Sequence, residues 1–202
     1  MKEFTKWIHE RKVILRCHPA LERQADWLLR VFQELADEGK GLWAGERVQV
    51  GWSFLTLRQE SSQWIVCEPD FSRDPFREIR DDVTCTLTVQ AQQNDVLRRV
   101  GVELVEGCPT FQDRILIGEG CLDIAKIYLE RVEAAGDHSG WYVGPVDGDV
   151  ESRSNHLIYE LVSRRFELLQ VLALPIGYLA VFEGKSIKAI LNPAQEDVWT
   201  RH

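Results

Sequence analysis

The chain has 202 residues, of which 24 are Lys or Arg and 32 are Asp or Glu, giving a formal net charge of -8. That surplus of acid argues against nucleic acid as a direct partner, because phosphate binding draws on excess Lys and Arg. It suits solubility, or a basic protein partner drawn in by electrostatic steering. With 45% apolar and 28% charged residues, the chain is globular in composition and can bury a substantial core, as one large domain or two small ones.

Five cysteines, Cys17, Cys67, Cys85, Cys108 and Cys121, stand at wide and irregular spacings, with no CxxC and no zinc-finger pairing with histidine. The expectation is reduced, mostly buried thiols in a cytoplasmic protein, with no metal and no cofactor. The N-terminus carries charges where a signal peptide needs an apolar run. No segment approaches the roughly 20 apolar residues of a membrane span, so no membrane partner is expected.

In chain order, Val13 to Leu15 predict a short edge strand. Pro19 marks a helix start, and Leu21, Ala25, Leu28, Leu29, Phe32, Leu35 and Ala36 continue it at helical spacing, with Trp27 and Val31 widening the apolar face. Gly39 and Gly41 end it. Val48 to Phe54 alternate as a strand, and a Gln59–Gln63 turn leads to a return strand, Trp64 to Cys67. Glu68 to Asp82 reads as a charged loop. Val83 to Gln90 alternate with β-branched residues and predict a strand, followed by a helix from Gln92 to Val100. Asp81 and Asp82 could instead cap one helix running to Val100.

Gly101 to Asp113, with Gly107 and Pro109, is the candidate boundary between residues 1–110 and 111–202. Strands follow at Arg114 to Ile117, Lys126 to Val132 and Trp141 to Val143, then an acidic loop, Gly144 to Ser154. Leu157 to Leu172 predict one or two helices, interrupted at Arg164-Arg165. A hairpin, Gly177 to Phe182 and Ser186 to Leu191, turns at Glu183-Gly184-Lys185. The sum is an α+β protein of mostly antiparallel sheet with packed helices, as one fold or two small sub-domains.

The candidate chemistry is thin. Glu68, Asp70, Asp81 and Asp82 could hold a hard cation or do acid–base work, but Arg73, Arg77 and Arg80 stand among them, and local salt bridges account for the cluster better. His138-Ser139 invites a hydrolase reading, yet Ser139 lacks the Gly-x-Ser-x-Gly elbow and no third residue is placed by a motif. Gly118-Glu-Gly120 is only a fragment of a phosphate-binding pattern. Trp27, Trp52, Trp64 and Trp141 fall on elements with a face to bury, whereas Trp7, Trp43 and Trp199 lie near loops or termini, as packing lids or interface anchors. The motifs place no catalytic residue, and no enzyme is expected.

Five stretches carry a resemblance: Ile115-Leu-Ile117, Tyr128-Leu-Glu-Arg131, Asp137-x-Ser-Gly-Trp-Tyr142, the stretch Tyr159 to Leu172, and Leu174-Pro-Ile-Gly-Tyr-Leu-Ala-Val181. From about Arg114 to Trp199 the chain resembles the bacterial family catalogued as immunity protein thirty-three of polymorphic toxin systems. It departs from that family at Gly144-Pro145, where a more acidic, less rigid segment is expected. The resemblance implies an immunity-like domain over 111–202 that binds and neutralises a cognate toxin inside the producing cell. Reuse of the domain in a regulatory module, or a small hydrolase, are the rival readings. By family analogy and charge, the candidate binding residues are Asp137, His138, Asp147, Asp149 and Glu151, which flank the aromatic strand.

Overall fold

Strand alternation begins at once in the N-terminal sheet. β1 (Lys2–Ile8) turns at His9, whose φ is +51°, into β2 (Arg11–Cys17), its antiparallel partner. The structure, a computed structural model, describes residues 1–39, 45–103, 107–133 and 136–199. It divides into two compact units, Met1–Ala91 and Gln92–His202, and each carries its own six-stranded sheet.

In the first unit the strand order is β1-β2-β5-β4-β3, with the short β6 (Ile79–Arg80) paired to β5. β3 (Arg47–Val50), β4 (Ser53–Glu60) and β5 (Gln63–Pro69) form an antiparallel meander, whereas β2 and β5 run parallel. The predicted Val48–Phe54 strand is thus two strands, broken where Gly51 takes φ +57°. β2 is interior, flanked by β1 and β5, which corrects its reading as an edge; β1 is too charged to show as a strand in the sequence.

α1 (Glu22–Asp37) follows a 3-10 turn, Pro19–Leu21, and ends at Gly39, whose φ is +70°. Gly41 and Trp43 lie outside the described residues. α1 buries Ala25, Leu28, Leu29 and Phe32 against Val13, Leu15, Leu55, Leu57 and Val66 of the sheet. Each large side chain so buried stabilises by about 1.5–3 kcal/mol. Trp27 departs from the sequence reading: it is 36% exposed, off the buried stripe, while Trp52, Trp64 and Trp141 are buried.

α2 runs unbroken from Thr84 to Val100, so the strand predicted at Val83 to Gln90 is helix. Asp82 explains the outcome. Its carboxylate accepts the Thr84 N–H at 3.0 Å, and buried Glu68 accepts the Thr86 N–H at 2.7 Å, so two orphan donors of the first turn are satisfied. The β-branched alternation lost to capping.

The second unit orders its strands β10-β7-β9-β8-β11-β12. β7 (Arg114–Gly118), β8 (Lys126–Arg131), β11 (Leu179–Glu183) and β12 (Ser186–Leu191) match the predicted strands closely. β9 (His138–Pro145) is longer than predicted, and β10 (Arg153–Leu157) was hidden between the acidic loop and the expected helix. The Leu157–Leu172 region is 3-10 turns around one short helix, α3 (Leu161–Arg164), rather than long helices. One face of this sheet is its core. Ile115, Ile117, Ile127, Leu129, Trp141, Val143, Ala180 and Phe182 are buried, together with Leu161, Leu168, Leu169 and Leu172. The Trp141 Nε1–H donates to the Leu172 carbonyl at 3.1 Å and ties that segment to the sheet.

Candidate protein-binding face

The Ser-Gly-Trp turn is a β-bulge. Between β7 and β9 the register passes from Arg114↔His138 to Leu116↔Tyr142, so β9 carries two extra residues. Gly140, at φ +79°, supplies the backbone conformation. The Ser139 hydroxyl donates to the Arg114 carbonyl at 2.7 Å and accepts the Trp141 N–H at 3.2 Å, so the polar groups at the bulge are satisfied. Ser139 is therefore 9% exposed and committed to the backbone, not poised as a nucleophile. Asp137 locks the same corner: its carbonyl accepts the Arg114 N–H, and its carboxylate pairs with the Arg114 guanidinium at 2.7 Å, which holds the Asp137 carboxyl below the ordinary range.

The bulge turns Trp141 into the core and Tyr142 to the opposite, outer face. There the pairing aligns Asn155, Leu116, Tyr142, Glu130, Leu179 and Leu191 in one row across six strands. A second row holds Gly144, Tyr128, Val181 and Ala189. Tyr128 and Tyr142 meet edge to face, with centroids 5.8 Å apart, and the Arg153 guanidinium lies 4.7 Å over the Tyr142 ring. Gly144 makes room: a Cβ there would stand 2.8 Å from Tyr128 Cζ. Beside Tyr142 a shallow concavity of about 230 Å³ is lined by Leu116, Val132, Glu133, His138 and Gly140. Val132 there is 49% exposed.

At the far end of β9, residues 146–152 cross to β10. The Val146 N–H donates to the Lys126 carbonyl at 3.2 Å, and the Glu119 N–H to the Ser152 carbonyl at 3.0 Å. Val150 docks on Gly118, where an added Cβ would come 2.7 Å from its methyl. This pinning leaves Asp147, Asp149 and Glu151 exposed.

The structure thus separates the predicted binding residues into two groups. Asp137 precedes β9 and His138 begins it, and Asp147, Asp149 and Glu151 follow its end, about 25 Å away by strand rise. All five are exposed, and the Tyr142 face lies between the two groups. The sequence reading missed Leu116, Tyr128, Tyr142 and Arg153. Their signal was the alternation of β7, β8 and β9 once one face is assigned to the core.

The Imm33-like domain profile matches residues 92–201, which hold the sheet, the bulge and this face. The chain belongs to the Imm33-like family. No curated protein and no solved structure matches it. Within the Imm33-like domain, the Asp137-x-Ser-Gly-Trp stretch builds the bulge. In the Pro175-Ile-Gly177 stretch, the Gly177 N–H donates to the Arg131 carbonyl at 2.7 Å. These stretches hold the fold and direct other side chains outward.

Two further polar clusters stand elsewhere in the chain. The Ser154 hydroxyl lies 2.8 Å from His156 Nε2, and His156 Nδ1 lies 2.9 Å from Glu160. Sequence reasoning missed this chain because β10 was not recognised as a strand, which puts residues 154 and 156 on one face. In the first unit, Arg80 pairs with Glu68 at 2.8 Å and Arg73 with Glu78 at 3.1 Å, as the salt-bridge reading expected, but Glu68 lies buried on β5 rather than on a solvated loop. Among the described residues no group of three or more His, Cys, Asp or Glu is placed to hold a metal ion, and no helix is long and apolar enough to cross a membrane.

Proposed function

We propose that this protein is an immunity protein that neutralises a cognate protein toxin in the cytoplasm of the bacterium that makes it. It does so by binding, without chemistry of its own. The observation that carries this reading is the Imm33-like match across 92–201. The outer face supports it: a sheet side rich in Tyr, with an Arg and aliphatic neighbours, has the composition of an interface core. A decisive experiment looks for a toxin domain encoded beside its gene and pairs the protein with it. Co-expression should restore growth, and the purified pair should form a complex in which toxin activity is lost. Growth arrest despite full expression of the protein would refute the reading.

The Ser154–His156–Glu160 chain favours a second reading, a small hydrolase, since it has the hydrogen-bond order of a nucleophile, base and orienting acid. Against it, Ser154 is exposed on an edge strand, and Glu160 also accepts the Leu157 N–H at 3.0 Å, as a turn cap does. Labelling by a fluorophosphonate probe, lost in Ser154→Ala, would establish the hydrolase reading; an unlabelled protein would remove it.

A further inference from the structure

Resting on the immunity reading, we propose that the toxin docks on the outer face of the C-terminal sheet, centred on Tyr142, and presents a basic surface to the 146–152 loop. Three features select this occupant.

The first is charge. Asp147, Asp149 and Glu151 are exposed, and no described cation forms an ion pair with any of them. Glu130 stands in the Tyr142 row, and Glu133 lines the adjoining concavity. Of the nearby cations, Arg114 pairs with Asp137, Arg153 lies over Tyr142, and Lys126 stands exposed two residues before Tyr128 on β8. The face therefore offers five carboxylates against the two cations Lys126 and Arg153, an acidic excess whose complement carries Lys and Arg.

The second is preorganisation. The loop is tied at Val146 and Ser152 and wedged by Val150 over Gly118, so the backbone that carries its carboxylates is anchored before contact. A surface fixed in this way loses little conformational entropy when it is covered.

The third is the centre. Tyr142 and Tyr128 brace each other, with Tyr128 seated over Gly144 and Gly140 lining the concavity beside Tyr142. A rigid aromatic pair beside a shallow apolar concavity suits a protruding side chain from the partner, ringed by the acidic groups.

The test uses the full chain and the toxin domain encoded beside its gene. Association and dissociation rates are measured at low and high salt for three variants. Changing Asp147, Asp149 and Glu151 to Asn, Asn and Gln should slow association about tenfold at low salt and flatten its salt dependence. Changing Glu10, Asp26 and Glu34, exposed on the first unit, to Gln, Asn and Gln alters net charge equally and should leave the rates near wild type. Tyr142→Ala should speed dissociation about tenfold or more, with Tyr142→Phe retaining most of the binding and reporting that the strand is intact. The surface is overturned if the control triple slows association as much as the loop triple, or if Tyr142→Ala binds like wild type. It is also overturned if the face proves to join two copies of this chain, seen as a dimer that Tyr142→Ala dissociates. Failure of the wild type to bind the toxin at all would instead refute the immunity reading, and the surface would fall with it.

Discussion

Gly144 lies beneath the ring of Tyr128, where an added Cβ would stand 2.8 Å from Cζ and 2.9 Å from the hydroxyl oxygen. The Gly-Pro pair after the aromatic strand therefore has a steric cause: the glycine is the space that the neighbouring tyrosine fills. The ring tip is the movable partner in this contact. Gly144→Ala should leave the protein folded, at a cost of about 1–3 kcal/mol, and push Tyr128 off Tyr142. Two-dimensional NMR should then show loss of ring-to-ring contacts between the two tyrosines. Unchanged contacts and an unchanged melting temperature would show that the strand yields instead.

Trp141 is 2% exposed, and its indole N–H is bonded to the Leu172 carbonyl. Trp141→Ala should cost about 3–5 kcal/mol, as cavities left by large aromatics do. Trp141→Phe keeps most of the volume and loses one buried hydrogen bond, which predicts a smaller loss of about 1–3 kcal/mol. Denaturant titration of both variants checks the order. A Phe variant as unstable as the Ala variant would place the stabilisation in the hydrogen bond rather than in packing.

These two residues show what could be read without a structure. The Ser-Gly-Trp turn announced a buried Trp141, because a turn followed by alternation fixes which side chain points inward. The β8, β11 and β12 strands and α1 declared themselves by periodicity in the same way. The outward positions of Tyr142 and Tyr128, which the sequence reading missed, follow from the same alternation, but their meeting depends on the register between β8 and β9, which no local pattern encodes. β10 was illegible because an edge strand with a polar run, Arg153-Ser-Asn-His156, carries no hydrophobic alternation. The first turns of α2 were misread because Thr84, Thr86 and Thr88 alternate like a strand, while the deciding groups, Asp82 and Glu68, act through hydrogen bonds to the helix start.

Arg131 is a buried cation that bonds to carbonyls. It is 6% exposed, with Nη1 donating to the Leu174 carbonyl at 2.6 Å and Nη2 to the Gly107 carbonyl at 3.0 Å. Burial lowers its pKa. Its role is to tie two connecting segments to β8, so Arg131→Met should destabilise by about 2–4 kcal/mol, since bonds to charged groups contribute about 1.5–3 kcal/mol each and the carbonyls would be stranded. Equilibrium unfolding provides the measurement. A loss below about 0.5 kcal/mol, the range of ordinary surface changes, would mean that the apolar replacement serves the site as well as the arginine does.

Glu68 makes stability depend on pH. It is 0% exposed; burial pushes its carboxyl from 4.5 up to about 7, against the opposing pull of the Thr86 N–H and Arg80. A folded-state pKa above the unfolded one means that the native protein binds more protons between those values, so stability falls as pH rises. The contribution is fully present below pH 4.5 and is lost as pH passes through about 7. At 1.36 kcal/mol per pK unit the loss is on the order of 3 kcal/mol. Glu68→Gln keeps an acceptor for the Thr86 N–H but cannot titrate. The stability difference between wild type and variant, measured by urea unfolding across this range, should therefore move against the wild type with increasing pH. A difference that stays flat or moves in its favour would mean that the helix start and Arg80 hold Glu68 ionised throughout.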